Sequence, residues 1–268
     1  MYTPTKETSM DDVKKWDSVA QNYQATYHKG QNDYNNMLIE FLGNNCGLTA
    51  ESRVIDVGCG VGKYGVLLAN MGCDVTLTDI SPRMIEFARE NMEKTGKAFS
   101  ALCCDWSSVS IDRAEFHPKF DVAISTMSPA ICGAASVKKL SDITRGFCFV
   151  TRFASWRSPL HDKLFEGLGM TKKSAFDNPV NDCEGLINDV KKAGYVPQVT
   201  YRDYCWADMR TPREVAERFV PRYFDKDYDE NTIARAAAMA EEFAGENGMV
   251  LDAVDTKVSW VYWNTEEK

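Results

Sequence analysis

A carboxylate set two residues ahead of a run of glycines is the first chemical signal in this chain. Asp56 precedes Gly58, Gly60, Gly62 and Gly65 in the segment VIDVGCGVGKYG. Each glycine inside a helix or strand costs roughly 0.5–1 kcal/mol of backbone entropy, so a run of four implies that the bare backbone has a use. Glycines let the chain turn sharply and approach a ligand closely, and free amides at the start of the following helix favour an anionic group. A second acid, Asp79, ends the apolar run DVTLTD about twenty residues on, where a carboxylate can accept the hydroxyls of a ribose. Asp105 ends a third run, AFSALCCD, with Trp106 directly after it. Further along, TRFASWRSPLHD brings together Arg152, Arg157 and His161, candidates for carboxylate recognition or for a general base, with solvated loop charge as the plainer reading. His28 and His117 make a weaker case.

These groups need a scaffold, and the spacing of apolar residues predicts one. Trp16, Ala20, Tyr23 and Tyr27 recur at helical intervals on one face. RVIDV reads as a short strand, YGVLLANMG as a helix stopped by Gly72, and DVTLTD as a second strand. In SPRMIEFARENMEKTG, Ser81 can cap, Pro82 suits the first helical position and Gly96 closes the turn. Strands AFSALCCD and FDVAIST, helix SVKKLSDITR, strand GFCFVTRF and helix CEGLINDVKKAGY continue the alternation. The last third departs from it, with YVPQVTYRDY, a capping box at Thr211 and Glu214, an Ala-rich helix in DENTIARAAAMAEEF, and the long strand MVLDAVDTKVSWVYW. The expected fold is α/β, a doubly wound and mostly parallel sheet. Residues 1–52 are read as N-terminal helices, 53–203 as the core, 204–248 as a helical insertion and 249–268 as the final core strand.

Composition narrows the partners. With 31 Lys and Arg against 39 Asp and Glu, the net charge of −8 offers no general attraction to nucleic acid or anionic lipid, so neither is expected. No apolar run has the length of a membrane span, and MYTPTKETSMDDVKKW has no secretory core, so a cytoplasmic protein is expected. The nine cysteines include no CxxC pair and read as buried, reduced thiols. No metal is expected, since no Asp-rich set stands at the strand end FDVAIST.

Register decides what the glycines serve. A P-loop needs Gly at position 57 and Ser or Thr at 64, where this chain has Val57 and Tyr64. GVGKYG matches GxGxxG, but in the nicotinamide fingerprint the first glycine follows the strand directly, and that place belongs to Gly58 with Lys63 in the third-glycine slot. Read as DVGCGVG, the segment resembles the first motif of the class I S-adenosylmethionine-dependent methyltransferases. LTDISPRM, CCDWSS and FDVAISTMSPA resemble the second, third and fourth motifs in order and spacing. The resemblance implies a Rossmann-like core that takes S-adenosylmethionine, with Asp56, Gly58, Cys59, Gly60 and Gly62 around its methionine part. It further implies Asp79 on the ribose hydroxyls, Asp105 on the adenine amino group, Trp106 beside the ring, and Ser125 in the wall of the fourth motif. Ile80 and Met84, one turn apart, could sandwich the adenine, with ordinary core as the alternative for Met84.

Methyl transfer from a sulfonium is an in-line displacement that asks for alignment and exclusion of water rather than a strong base. The fourth motif holds Ser125, Thr126, Met127, Ser128 and Pro129, unlike the pattern of base-amino methyltransferases, so a small-molecule acceptor is expected. WDSVAQNYQATYH resembles the lid helix of small-molecule members, which makes Tyr23 the candidate for closing over the cofactor or facing the methyl group, or else a packing residue. Two other readings stand beside it: a nicotinamide-dependent oxidoreductase using the 60–65 register, and a non-enzymatic regulator that binds S-adenosylmethionine.

Overall fold

Val54, Ile55 and Val57 are fully buried with Asp56 among them, as suits a strand covered on both faces. In the computed structural model, which describes residues 10–27, 32–170, 179–224 and 228–267, they form β1, Arg53–Val57. Two helices precede it, α1 (Met10–Thr26) and α2 (Asn32–Cys46). His28 lies outside the described residues. The alternation then runs α3 (Lys63–Met71), β2 (Asp74–Asp79), α4 (Pro82–Glu93), β3 (Phe99–Cys103), β4 (Phe120–Ser125), α5 (Ala134–Asp142) and β5 (Thr144–Arg157). It continues through α6 (Pro159–Gly167), α7 (Cys183–Lys192), β6 (Gln198–Arg210), α8 (Pro212–Tyr223), α9 (Glu230–Glu241) and β7 (Val250–Asn264).

The sheet is mixed and mostly parallel with helices on both sides, in the order β3-β2-β1-β4-β5-β7-β6. β1 pairs in parallel with β2 and with β4, β2 with β3, and β4 with β5. Chain order therefore reverses beside β1, which leaves a crevice beyond the carboxyl ends of β1 and β4. The caps behave as their residue types dictate: the Ser81 hydroxyl accepts from Met84 N, Gly72 ends α3 in the left-handed region, and Thr211 and Glu214 close the capping box of α8.

Two compact units divide the chain. The first takes residues 1–152, 183–200 and 260–268, and its core gathers Ile55, Phe120, Ala123, Cys148, Leu186 and Trp263. The second takes residues 153–182 and 201–259, with Leu160, Phe165, Val215, Phe219, Ala236 and Val250 at its centre. Two boundaries differ from the sequence expectation. GFCFVTRF is the middle of a strand that continues through Arg157, so Arg152 and Arg157 stand on β5 rather than in a loop. Likewise β6 runs to Arg210, past the expected start of the insertion at 204. In both places polar residues alternate with larger ones along the strand, a pattern that reads as loop when only apolar runs are counted. Among the described residues no helix is long and apolar enough to cross a membrane.

Candidate functional site

Parallel pairing puts the ends of β1, β2, β3 and β4 along one edge, and Asp79 sits level with Cys103 in the β2–β3 register. The turn after β1 holds Gly58, Gly60 and Gly62 at φ of 72°, 54° and 81°, all left-handed. Four of its amides are engaged. Gly58 N and Cys59 N both donate to the Thr78 carbonyl at 2.8 and 3.0 Å, Gly62 N donates to Cys59 O at 3.0 Å, and Gly60 N donates to Asp79 Oδ2 at 2.9 Å. The turn spends these four amides internally, three of them tying β1 to β2, while the amides at the start of α3, where an anion was expected, are a separate set. A Cβ on Gly58 would fall 1.9 Å from Ser128 Oγ, whereas one on Gly60 would meet nothing nearer than Met84 Sδ at 4.0 Å. Gly58 is therefore bare to fit the protein, and Gly60 borders open space.

Two acids flank the turn. Asp79 receives Ser81 N on Oδ1 at 2.9 Å and Gly60 N on Oδ2, which fixes its carboxylate and leaves each oxygen a lone pair for further donors. Burial holds its pKa above the usual carboxylate range, against the pull of those backbone amides. Asp56 is 0% exposed and neither of its oxygens has a hydrogen-bond partner. Burial, and then the nearby charge of Asp79, push its pKa up to about 8. The Cys59 thiol is buried too and is raised by burial and by the same two acids, so it is no nucleophile.

The remaining predicted residues fall around this edge. Met84 is buried in a cluster with Ala20, Val61 and Phe87, and Ile80 is half-buried at the end of β2. Asp105 folds back on its own turn, accepting from Ser107 N at 2.8 Å, Ser107 Oγ at 2.7 Å and Ser108 Oγ at 3.3 Å. Trp106 is a core residue, 3% exposed and edge-on to Phe116, with its indole N–H unpartnered. The Ser125 hydroxyl donates to Val57 O at 2.8 Å and so joins β4 to β1. Directly after it, Met127 takes a left-handed φ of 50° while its amide donates to Thr151 Oγ1, a strained turn at the mouth of the crevice.

The helix α1 is docked on α4. Asp17 accepts from the Ser81 hydroxyl and from Arg83 N, and Gln24 exchanges hydrogen bonds with Asn91 at 3.1 and 2.8 Å. Asn91 also donates to Val61 O, so the same side chain holds helix and glycine turn together. Tyr23 is 49% exposed, its ring edge-on to Trp16 at 6.5 Å. Sequence reasoning passed over Asp17, Asn91 and Lys139, whose ammonium donates to the carbonyls of Trp106, Ser107 and Val109 and pins the turn after β3. None carries a local signal, because their partners lie 30 to 67 residues away. His161 belongs to the second unit, where Nε2 lies 2.8 Å from Asp252 and the ring packs between Trp156 and Phe219. Arg152 is in the first unit, buried, with its guanidinium on the carbonyls of Thr151 and Ile131.

A family model described as a methyltransferase domain matches residues 54–145, the segment that holds every part of the edge just described except α1 and Thr151. Residues 54–145 match a methyltransferase domain. The methyltransferase domain is similar to the malonyl-acyl-carrier-protein O-methyltransferase of Acetivibrio thermocellus, 36% identical over 110 residues, 40% of this chain and 35% of that one. The first curated relatives are matched over 25–47% of their own length. By structure, the chain resembles a Geobacter sulfurreducens S-adenosylmethionine-dependent methyltransferase in complex with S-adenosylhomocysteine, at TM-score 0.52 and 18% identity, over 90% of this chain and 96% of that one. It also resembles the cyclase SpnF at TM-score 0.57 and 15% identity, over 97% of each chain. The shared fold thus carries more than one named chemistry, and the site has to supply the rest of the argument.

S-adenosylmethionine, the cofactor of this class, fits the residues present. It is a cation with a diol, and the site offers an orphaned buried carboxyl, a clamped carboxylate with lone pairs to spare, and open space at Gly60. A dinucleotide fits less well, because its pyrophosphate would meet the Asp79 carboxyl and four turn amides that are already engaged.

Proposed function

We propose that this chain transfers a methyl group from S-adenosylmethionine to a small-molecule acceptor. The observation that carries the reading is the Asp79 carboxylate, clamped by the amides of Gly60 and Ser81 with lone pairs left for a diol, beside a turn that borders open space at Gly60. When bound, S-adenosylmethionine supplies an electrophilic methyl on a sulfonium. Asp79 holds the ribose through the lone pairs its backbone donors leave open, and Asp56, protonated at neutral pH before the cation arrives, becomes its counter-charge only on ionising. Ile80 and Met84 offer apolar contact to the adenine, and the turn of Asp105 presents the polar edge. The short side chains of Ser125, Thr126 and Ser128 line the strand end without a strong base, consistent with a reaction governed by alignment and exclusion of water. Tyr23, exposed on a helix stapled beside Asp79, is the residue of α1 best placed to cover the donor.

The test uses donor labelled on its methyl group, incubated with the protein and a cell extract that is then split by ultrafiltration. Label in the small-molecule fraction, lost with Asp79→Ala, supports the reading. Label confined to macromolecules overturns the acceptor class, and binding of the donor without any transfer makes the protein a sensor.

A further inference from the structure

The parallel ladder between β4 and β5 ends at Ser125, opposite Val150. One residue further along β5, Thr151 is fully buried, and a hydroxyl at such a place costs stability unless it is hydrogen-bonded. Its Oγ1 accepts from Met127 N at 2.9 Å, so a side chain takes up the donor that the ladder no longer reaches. Among the described residues Met127 is the only one other than glycine with a positive φ, at 50°. L side chains rarely adopt that region, and a residue stays there only where its surroundings over-determine it.

Downstream of the strained residue the loop is pinned at successive points. Ala130 N donates to Ser128 Oγ at 3.3 Å, and Ser136 Oγ donates to Ala130 O at 3.2 Å. The buried Arg152 guanidinium donates to Ile131 O at 2.5 Å, and Gly133 N donates to Asp189 Oδ2 at 2.9 Å. Ser128 also lies against the glycine turn, so close that a Cβ on Gly58 would fall 2.7 Å from Ser128 Cβ. These contacts seat the loop beside β1, but the hydrogen bond to Thr151 acts at the strained residue itself. Thr126 and Met127 are half-buried, with one side left open at the end of β4.

We propose that Thr151 is a positioning residue for methyl transfer: through the Met127 amide it holds Thr126, Met127 and Ser128 as a preformed wall on the acceptor side of the donor. The inference rests on the methyl-transfer reading. An in-line displacement depends on how closely the acceptor is held to the axis of attack, and a wall that does not reorganise fixes that approach and keeps water out. The donor contacts argued above come from Gly60, Asp79 and Ile80, which lie on the turn after β1 and at the end of β2. Loss of the Thr151 hydroxyl therefore falls on transfer and spares donor binding.

The test compares Thr151→Val, which keeps the shape and removes the hydroxyl, with Thr151→Ser, which keeps the hydroxyl. Methyl label passed from saturating S-adenosylmethionine to either fraction of a cell extract should fall about tenfold or more in Thr151→Val. Thr151→Ser should stay within about twofold of the parent, and calorimetric affinity for S-adenosylmethionine should stay within about twofold in both. A double-mutant cycle with Met127→Gly reads the clamp without any acceptor. Glycine relieves the left-handed strain only while the clamp enforces it, so Met127→Gly should act more favourably on the melting temperature of the parent than on that of Thr151→Val, by about 2 °C or more. The proposal is overturned if Thr151→Val transfers label as the parent does, if Thr151→Ser falls as far, if donor affinity falls in step with transfer, or if the cycle shows no coupling. A parent that passes label to neither fraction overturns the methyl-transfer reading and the acceptor wall with it, whereas an active parent with an equally active Thr151→Val overturns the wall alone.

Discussion

Replacing Asp56 by Asn probes the least comfortable group in the molecule. Burial and the charge of Asp79 raise its pKa from 3.8 to about 8, so folding favours its protonated form. A carboxyl with a raised folded pKa contributes stability that is fully present below about pH 4 and is lost as pH rises through about 8. The gap is about four units, which at roughly 1.4 kcal/mol per unit sets a ceiling of about 6 kcal/mol. Relaxation and water entry in real interiors bring the expected loss to the order of 2–4 kcal/mol. Asn keeps the shape but cannot ionise, so its offset is a constant and its profile lacks this loss. Urea unfolding of the ligand-free protein at pH 5 and pH 9, at constant ionic strength, gives both slopes. The parent should lose about 2–4 kcal/mol more than Asp56→Asn over that interval. Profiles parallel to within about 0.5 kcal/mol would refute the argument, since that is the ordinary error of such differences. Saturating S-adenosylmethionine should restore part of the parent's loss at pH 9, because a cation beside the turn favours the ionised acid, and its binding at pH 7 should release protons into the buffer.

Asp79→Ala should leave the fold intact and weaken S-adenosylmethionine by about 1.5–3 kcal/mol in calorimetry, the range for hydrogen bonds to a charged group; unchanged affinity contradicts the ribose assignment. Gly58→Ala should lower the melting temperature far more than Gly60→Ala, because both pay a left-handed strain of roughly 1–2 kcal/mol but only the first collides with Ser128 Oγ. Equal melting temperatures would sink that distinction. Asp17→Ala removes the acceptor of the Ser81 hydroxyl and Arg83 amide, at a cost of about 1 kcal/mol, and should speed proteolytic cleavage within α1 while the sheet stays protected. Tyr23→Phe, at a half-exposed ring, should change stability by less than about 0.5 kcal/mol; a fall in turnover keeps Tyr23 at the reaction, and unaltered turnover assigns it to packing.

What the sequence made legible was whatever is local. β1 and β2 fall on RVIDV and DVTLTD because β-branched runs bounded by turn residues leave little choice, and the Ser81 and Thr211 caps follow from side chains that reach only three residues. The glycine turn and Asp79 were legible for the same reason, their spacing being set by one βαβ unit. The state of the turn's amides was not, because their acceptors come from Thr78 and Asp79 across the sheet. Trp106 shows another limit: an aromatic after a strand reads equally as a ligand platform or as core, and only packing against Phe116 places it. Nor could His161 of α6 be paired from sequence, with Asp252 ninety-one residues away on β7.

The double use of the Thr78 carbonyl by Gly58 and Cys59 has a kinetic consequence. A turn with four amides satisfied before any ligand arrives has little left to order on encounter, so little conformational entropy is lost at that step. Association at this edge should then be fast and single-phased, with affinity differences among ligands expressed in how quickly they leave. Stopped-flow traces that show a slow second phase for S-adenosylmethionine would locate a rearrangement elsewhere, and α1, docked through Asp17, Gln24 and the buried Ala20, is the element to examine for it.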